Sequence, residues 1–404
     1  MAEIDGMSLI DSSATAACGA AFTLSASSPA SAIERVNGAW EVEVRQGSRW
    51  VVARGGSAST YDMARDRAIV MTSALLDWLC VKGVADLRII EATDSHIVWW
   101  AAVDGSVLRL KSIGTLTVTL GAPTLVVKDA QGNVVPPAPP LPLMRHESFT
   151  YFRQAQLTDD LFDAFRNICL AIESILSSVV PPNLRETERD WLERALCTVH
   201  QQGVKLDPFA QPGDPYPVVT VSSELRDARN AVFHAKSNRD HFMPQKWSDR
   251  TSVLESLKRM ARLYLRLMEA HLGFTPPSSF LFASGAEYLT RRLDQAVIHV
   301  TDDPAPFDPG QESINPSGGR VAPLLTRRAP EFEQSFLKCF LGRAPVTQLS
   351  ALTHVARVVA TAEDVPVIAW IPDSRLTLEG FDWFECEMGI RIKNRQQPRQ
   401  DYPA

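Results

Sequence analysis

Ten residues from Val134 to Leu143, VVPPAPPLPL, restrict what this chain can fold into more than any other stretch. Each proline locks φ near the polyproline value and removes a backbone donor, so the segment fits neither a helix interior nor a central strand. The hydrophobic period differs on its two sides. Before the strap apolar residues tend to alternate; beyond it they recur every three or four residues. With 404 residues the chain can hold two or three units, each burying its own core.

Residues 1–34 are rich in Ala and Ser and read as a flexible N-terminus. Ala30-Ser31-Ala32 resembles a signal-peptidase site, yet no Lys or Arg precedes Arg35, and Glu3 and Asp5 stand where a positive region belongs. Ala39 to Ala53 alternates around Gln46-Gly47, which predicts a hairpin, and Ser59 to Val81 predicts a helix stopped at Gly83. Short strands are expected over 87–91, 96–103, 107–112, 115–120 and 124–128. Residues 35–135 thus read as an α+β domain and 136–147 as a proline-rich linker.

Beyond the linker, Leu161, Phe165, Ile168, Ile172, Ile175 and Val179 form one helical stripe, and further helices are expected over 186–202, from Ser222 and over 248–272. Ser222 or Ser223 caps the third, with Glu224 in its first turn. The simplest packing is an antiparallel four-helix bundle over 148–275. Residues 276–329 read as a loop-rich connector and 330–404 as a small α/β module: helices 331–341 and 346–360, strand 366–371, a hairpin over 376–393 and a basic tail at 391–399. The expected fold class is therefore α+β multidomain, with a central helical bundle between an N-terminal α+β domain and a C-terminal α/β module.

Six cysteines are scattered without a C-x-x-C pair or neighbouring His at zinc spacing, which favours reduced thiols in a cytoplasm over a structural zinc site. No apolar run approaches the ~20 residues of a membrane span. The formal net charge is -6, but ten Lys or Arg against four acids lie between Arg226 and Arg266, a local excess of six positive charges. A basic patch is available there.

That patch contains R-N-A-V-F-H, with Arg229, Asn230 and His234 on one helix. Asn230 and His234 are one turn apart on the same face, whereas Arg229 and His234 are about 140° apart at roughly 100° per residue. Lys236, Arg239, Arg259, Arg262 and Arg266 are the candidate cations for a nucleic-acid phosphate backbone, and Glu173 and Asp227 the candidate supporting carboxylates. His146 and His241 are candidates of the same kind. The bare R-x(4 to 6)-H pattern is also met by Arg194 with His200, Arg266 with His271, and Arg292 with His299, but only Arg229 has a polar neighbour followed by three apolar residues.

On these residues, and on the first helix FRNICLAIESIL, the region 148–275 resembles the HEPN superfamily, helical domains of prokaryotic toxins, abortive-infection proteins and RNA-guided nucleases. The resemblance implies a HEPN-like bundle, a homodimer with a shared site, and cleavage of RNA to 2′,3′-cyclic phosphate and 5′-hydroxyl ends without metal or other cofactor. It also implies an effector role in bacterial antiphage defence or toxin systems, with a phage-derived trigger or a regulatory partner and no membrane. HEPN toxins modified by a partner nucleotidyltransferase carry a Tyr shortly after the His, where this chain has Ala235 and Lys236. The chemistry is coherent by itself: a base for the 2′-hydroxyl, an acid for the leaving oxygen and a cation for the phosphorane are roles His and Arg fill near neutral pH. The alternative is a non-catalytic HEPN module that binds, scaffolds or senses.

Overall fold

Strands from both ends of the chain build one large sheet, and the helices between them build a separate layer. The computed structural model describes residues 1–10, 18–36, 39–90, 94–118, 131, 145–158, 160–210, 214–233, 242–244, 246–273, 287, 290–305, 313–332, 337–370 and 375–394. The first part holds β1 (Glu3–Ile4), β2 (Met7–Ser8), β3 (Gly19–Leu24), β4 (Ala32–Val36), β5 (Trp40–Val44), β6 (Trp50–Gly55), α1 (Tyr61–Val81), β7 (Ile89–Ile90), β8 (Ser95–Ala102) and β9 (Gly105–Val118). Five helices follow: α2 (Glu147–Leu157), α3 (Leu161–Val179), α4 (Glu188–Gln201), α5 (Pro217–Phe233) and α6 (Trp247–Leu272). The last part holds β10 (Val297–Thr301), β11 (Val321–Pro323), β12 (Leu325–Arg328), β13 (Leu337–Pro345), β14 (Arg357–Ala362), β15 (Val365–Trp370) and β16 (Trp383–Asn394).

The expected arrangement of a central four-helix bundle between two separate modules is overturned by a single ten-stranded mixed sheet that both ends of the chain build, in the order β12-β13-β16-β9-β8-β3-β6-β5-β4, with β7 paired to β3. Its joint is the parallel pair β9–β16, in register from Val107 opposite Trp383 to Val118 opposite Asn394. The residues of β16 explain the pairing. Phe384, Cys386 and Met388 are buried on one face, while Glu385 and Glu387 on the other lie opposite Arg109 and Lys111 and pair with them at 2.6 Å and 2.9 Å. Apolar cross-strand contacts on one side and opposite charges on the other select this register.

Each face of the sheet is covered. On one, Ala20, Phe22 and Leu24 of β3 pack with Ala64, Ala68, Leu75 and Leu79 of α1. On the other, Ala21, Trp99, Leu108 and Leu110 meet Ile298, Val300, Val358 and Trp370 of a second, four-stranded sheet, β11-β10-β14-β15. Helices α2 to α6 enclose a separate core, from Ala155 to Met268. Arg65 of α1 stacks over the Trp247 ring at the start of α6, 4.4 Å from its centroid, and joins that layer to the sheet.

Several local expectations are corrected. Residues 19–24, expected within a flexible terminus, form β3 in the middle of the large sheet; the Ala-rich composition serves close packing. The expected strands 107–112 and 115–120 are one strand, because Gly114 continues the ladder opposite Ile390. The run 331–341 is a short 3₁₀ turn at Pro330–Phe332 followed by β13, and 346–360 is another such turn at Val346–Leu349 followed by β14. In β13, Cys339 and Leu341 face one core while Phe340 and Ala344 face another, a period of two that propensity hides. The expected 376–393 hairpin is instead the unbroken β16, preceded by isolated bridges from Leu376 to Ile4 and Val355. The connector supplies β10, β11 and β12. The strap at 134–143, the strand expected at 124–128 and most of the basic tail lie outside the described residues.

Candidate functional site

The R-N-A-V-F-H stretch lies at the end of α5. That helix begins at Pro217, so Ser222 is buried in its interior rather than capping it, and Asp214 secures the start by accepting from the Tyr216 N–H at 2.8 Å and from the Thr220 hydroxyl. Val221, Leu225, Ala228 and Val232 bury the inner face of α5. Arg229 is at the edge of that face, looking toward α3 and α4, with its side chain one-quarter exposed.

Two carboxylates meet Arg229 there. Its Nη1 lies 3.0 Å from Glu173 Oε1 of α3, and the same nitrogen contacts Glu188 Oε1 at the first residue of α4. The two acids differ in setting: the Glu173 side chain is 20 % exposed, that of Glu188 60 %. Burial pushes the Glu173 carboxyl above its ordinary range, and the Arg229 guanidinium opposes that rise. One turn earlier on α3, burial pushes the Cys169 thiol far up, with the Glu173 charge adding to the effect. Local sequence fixes the frame. Asp160 caps α3 by accepting from the Asp163 N–H at 2.8 Å, and Thr187 caps α4 by accepting from the Asp190 N–H at 3.2 Å.

Arg166, two turns before Glu173 on α3, donates to the Val232 carbonyl in the last turn of α5 at 3.2 Å and pairs with Asp163 at 2.6 Å. Arg229 opposite Glu173 and Val232 opposite Arg166 make α3 and α5 antiparallel at this point. The site thus has a second cation near the end of α5 that the motif does not announce. Neither does it announce Glu188, which from sequence is only an acid in a first turn.

The remaining sequence candidates separate. Asn230 is exposed on the outside of α5, and Asp227 is exposed and paired with its neighbour Arg226 at 2.9 Å, away from Arg229. Of the two supporting carboxylates, the structure brings only Glu173 to Arg229. Arg259 is turned to the other side of α5, where its Nε donates to Glu224 at 2.9 Å; Arg262 is exposed; Arg266 pairs with Glu269 at 2.9 Å. Two of these three arginines are thus engaged in ion pairs with Glu224 and Glu269. His146 caps α2, accepting from the Ser148 N–H at 3.2 Å. His234, Lys236, Arg239 and His241 lie outside the described residues.

The three other matches to the bare pattern lie in different settings. Arg194 holds Glu186 through Nε at 2.7 Å, and His200 contacts the Val204 carbonyl through Nδ1 at 3.0 Å. His271 is in the last turn of α6, its Nε2 buried without a hydrogen-bond partner among the described residues, and burial holds its imidazole below its ordinary value. His299 is in strand β10 beside Thr361, not on a helix with Arg292. No helix among the described residues is long and apolar enough to cross a membrane. Comparison with known proteins returns no match: no family model, no curated protein and no solved structure resembles the chain to a significant degree.

Proposed function

We propose that this chain is a cytoplasmic, metal-independent endoribonuclease of the HEPN kind, acting through Arg229 and His234, and that it serves as the effector of a bacterial antiphage defence or toxin system. The observation that carries the reading is the setting of Arg229. It is held half-buried at the junction of three helices by Glu173, five residues before His234, while Arg194, His200 and His299 of the competing matches are engaged with Glu186, the Val204 carbonyl and Thr361. In the proposed reaction the His234 imidazole takes the 2′-hydroxyl proton, and the 2′-oxygen attacks the adjacent phosphorus. The 5′-oxygen leaves with a proton, and Arg229 stabilises the charge that accumulates on the phosphorane. A second copy of the chain supplies the second imidazole, so the working species is a homodimer.

The second reading is a non-catalytic HEPN module that scaffolds or senses. It is favoured by the two carboxylates on Arg229, whose combined charge exceeds that of the guanidinium. Incubation of purified protein with RNA in EDTA separates the two. Wild type should cleave, leaving 2′,3′-cyclic phosphate ends, and His234→Ala and Arg229→Ala should each lose about a hundredfold to ten-thousandfold in rate while staying folded. A folded wild-type dimer that cuts no RNA removes the nuclease reading.

A further inference from the structure

Arg229 carries one positive charge, and its Nη1 meets carboxylates from two other helices. Such a guanidinium is a poor phosphate ligand until one acid withdraws. Which acid withdraws follows from burial. Glu173 emerges from the middle of α3, is four-fifths buried, and already bears a desolvation penalty that Arg229 offsets. Moving it away would leave a partly buried charge without its partner. Glu188 is 60 % exposed at the first residue of α4, so its carboxylate gains water when it leaves.

The backbone beneath Glu188 is held in place. Glu186 accepts the Arg194 Nε at 2.7 Å and the Asn183 N–H at 2.8 Å, contacts that lower its carboxyl to about 2. Thr187 caps the helix, and the Trp191 indole N–H donates to the Val180 carbonyl at 2.7 Å. With the chain anchored on both sides, Glu188 can leave Arg229 by rotating its side chain alone. No refolding of α4 is needed.

We propose that Glu188 is a displaceable plug on Arg229: its carboxylate occupies the guanidinium face that an RNA phosphodiester takes, so substrate must expel it to bind. Glu173 remains as the fixed support that aims the guanidinium. This rests on the assignment of Arg229 as a phosphate ligand, and it makes position 188 a determinant of how tightly RNA is held. Because the plug and the ligand are both anions competing for one cation, RNA affinity falls with salt less steeply than the local positive excess alone would give.

The test measures binding and cleavage separately on full-length protein. Binding is read by fluorescence anisotropy of a labelled 2′-O-methyl RNA oligonucleotide, which lacks the attacking hydroxyl; cleavage is read on the matching unmodified RNA in EDTA. Glu188→Gln keeps the shape and removes the charge. It should tighten binding by about two- to fivefold, the factor expected for loss of one exposed ion pair, and raise cleavage at sub-saturating RNA by a similar factor. Glu173→Gln should give no gain, and Glu188→Gln combined with Arg229→Ala should bind no better than Arg229→Ala alone.

Tighter, Arg229-dependent binding by Glu188→Gln with no cleavage by any variant supports the plug while removing the nuclease reading. Cleavage by wild type with unchanged binding and rate in folded Glu188→Gln overturns the plug and leaves the nuclease. Loss of folding in both Glu188→Gln and Glu188→Ala, read by circular dichroism, makes the contact structural and also overturns it.

Discussion

Replacing Arg229 by Ala should expose how far the site is a stability element as well as a functional one. The side chains of Arg229 and Glu173 are 25 % and 20 % exposed and lie 3.0 Å apart, so the pair is neither a surface bridge nor fully buried. Exposed pairs contribute about 0–1 kcal/mol, and breaking a fully buried one costs about 3–5 kcal/mol. Roughly 1–3 kcal/mol is expected here, at about 2–4 °C in melting midpoint per kcal/mol for a unit of this size.

The pH dependence has a definite sign. Burial holds the Glu173 carboxyl above its unfolded value, so its favourable contribution is complete at low pH and is lost as pH rises through the folded value. Removing Arg229 takes away the influence that opposes this rise. The folded value moves higher, and the loss between acid and neutral pH grows. Melts followed by circular dichroism should therefore show Arg229→Ala least stable relative to wild type near neutrality and recovering toward acid, and Glu173→Gln should rescue Arg229→Ala. If Arg229→Ala melts like wild type at both pH values, or Glu173→Gln worsens it, the pair is solvated and the three-helix junction does not hold Arg229 as argued.

Ending the chain before Trp383 should leave the N-terminal strands insoluble in expression trials, because β16 is an interior strand between β13 and β9; a soluble, cooperatively melting product would refute the shared sheet. Gly19→Ala should cost about 2 kcal/mol or more in denaturant melts, since a Cβ there would sit 2.3 Å from both the Ala53 carbonyl oxygen and the Trp99 ring. A neutral effect would mean that residues 19–24 are not packed in the sheet. Thiol titration of native protein should label exposed Cys80 ahead of buried Cys169 and Cys386, whose thiols burial raises, as mass mapping of the adducts would verify.

Periodicity alone was enough for the elements whose signal is local. The stripe from Leu161 to Val179 is α3 to the residue, and α1 and α6 end where Gly83 and Gly273 take positive φ of 67° and 63°. The β5–β6 hairpin follows from alternation around Gly47, again at positive φ. At the site, sequence could name Arg229 and nominate Glu173, because a polar residue on a helix otherwise lined by Leu, Ile and Phe is conspicuous.

Tertiary structure decided what depends on distant partners. Glu385 and Glu387 reveal themselves as strand residues only when opposite Arg109 and Lys111, 276 positions earlier, and before that pairing β16 reads as two halves of a hairpin. A strand records which face is apolar but not which strand lies beside it, so the flanks read as separate modules although they are one sheet. Glu188 was hidden for the same reason: a carboxylate in a first turn satisfies a helix dipole whether or not an arginine from another helix comes to it. Only the antiparallel passage of α5 along α3, with α4 beside it, converts that residue from a helix-start signal into a partner of Arg229.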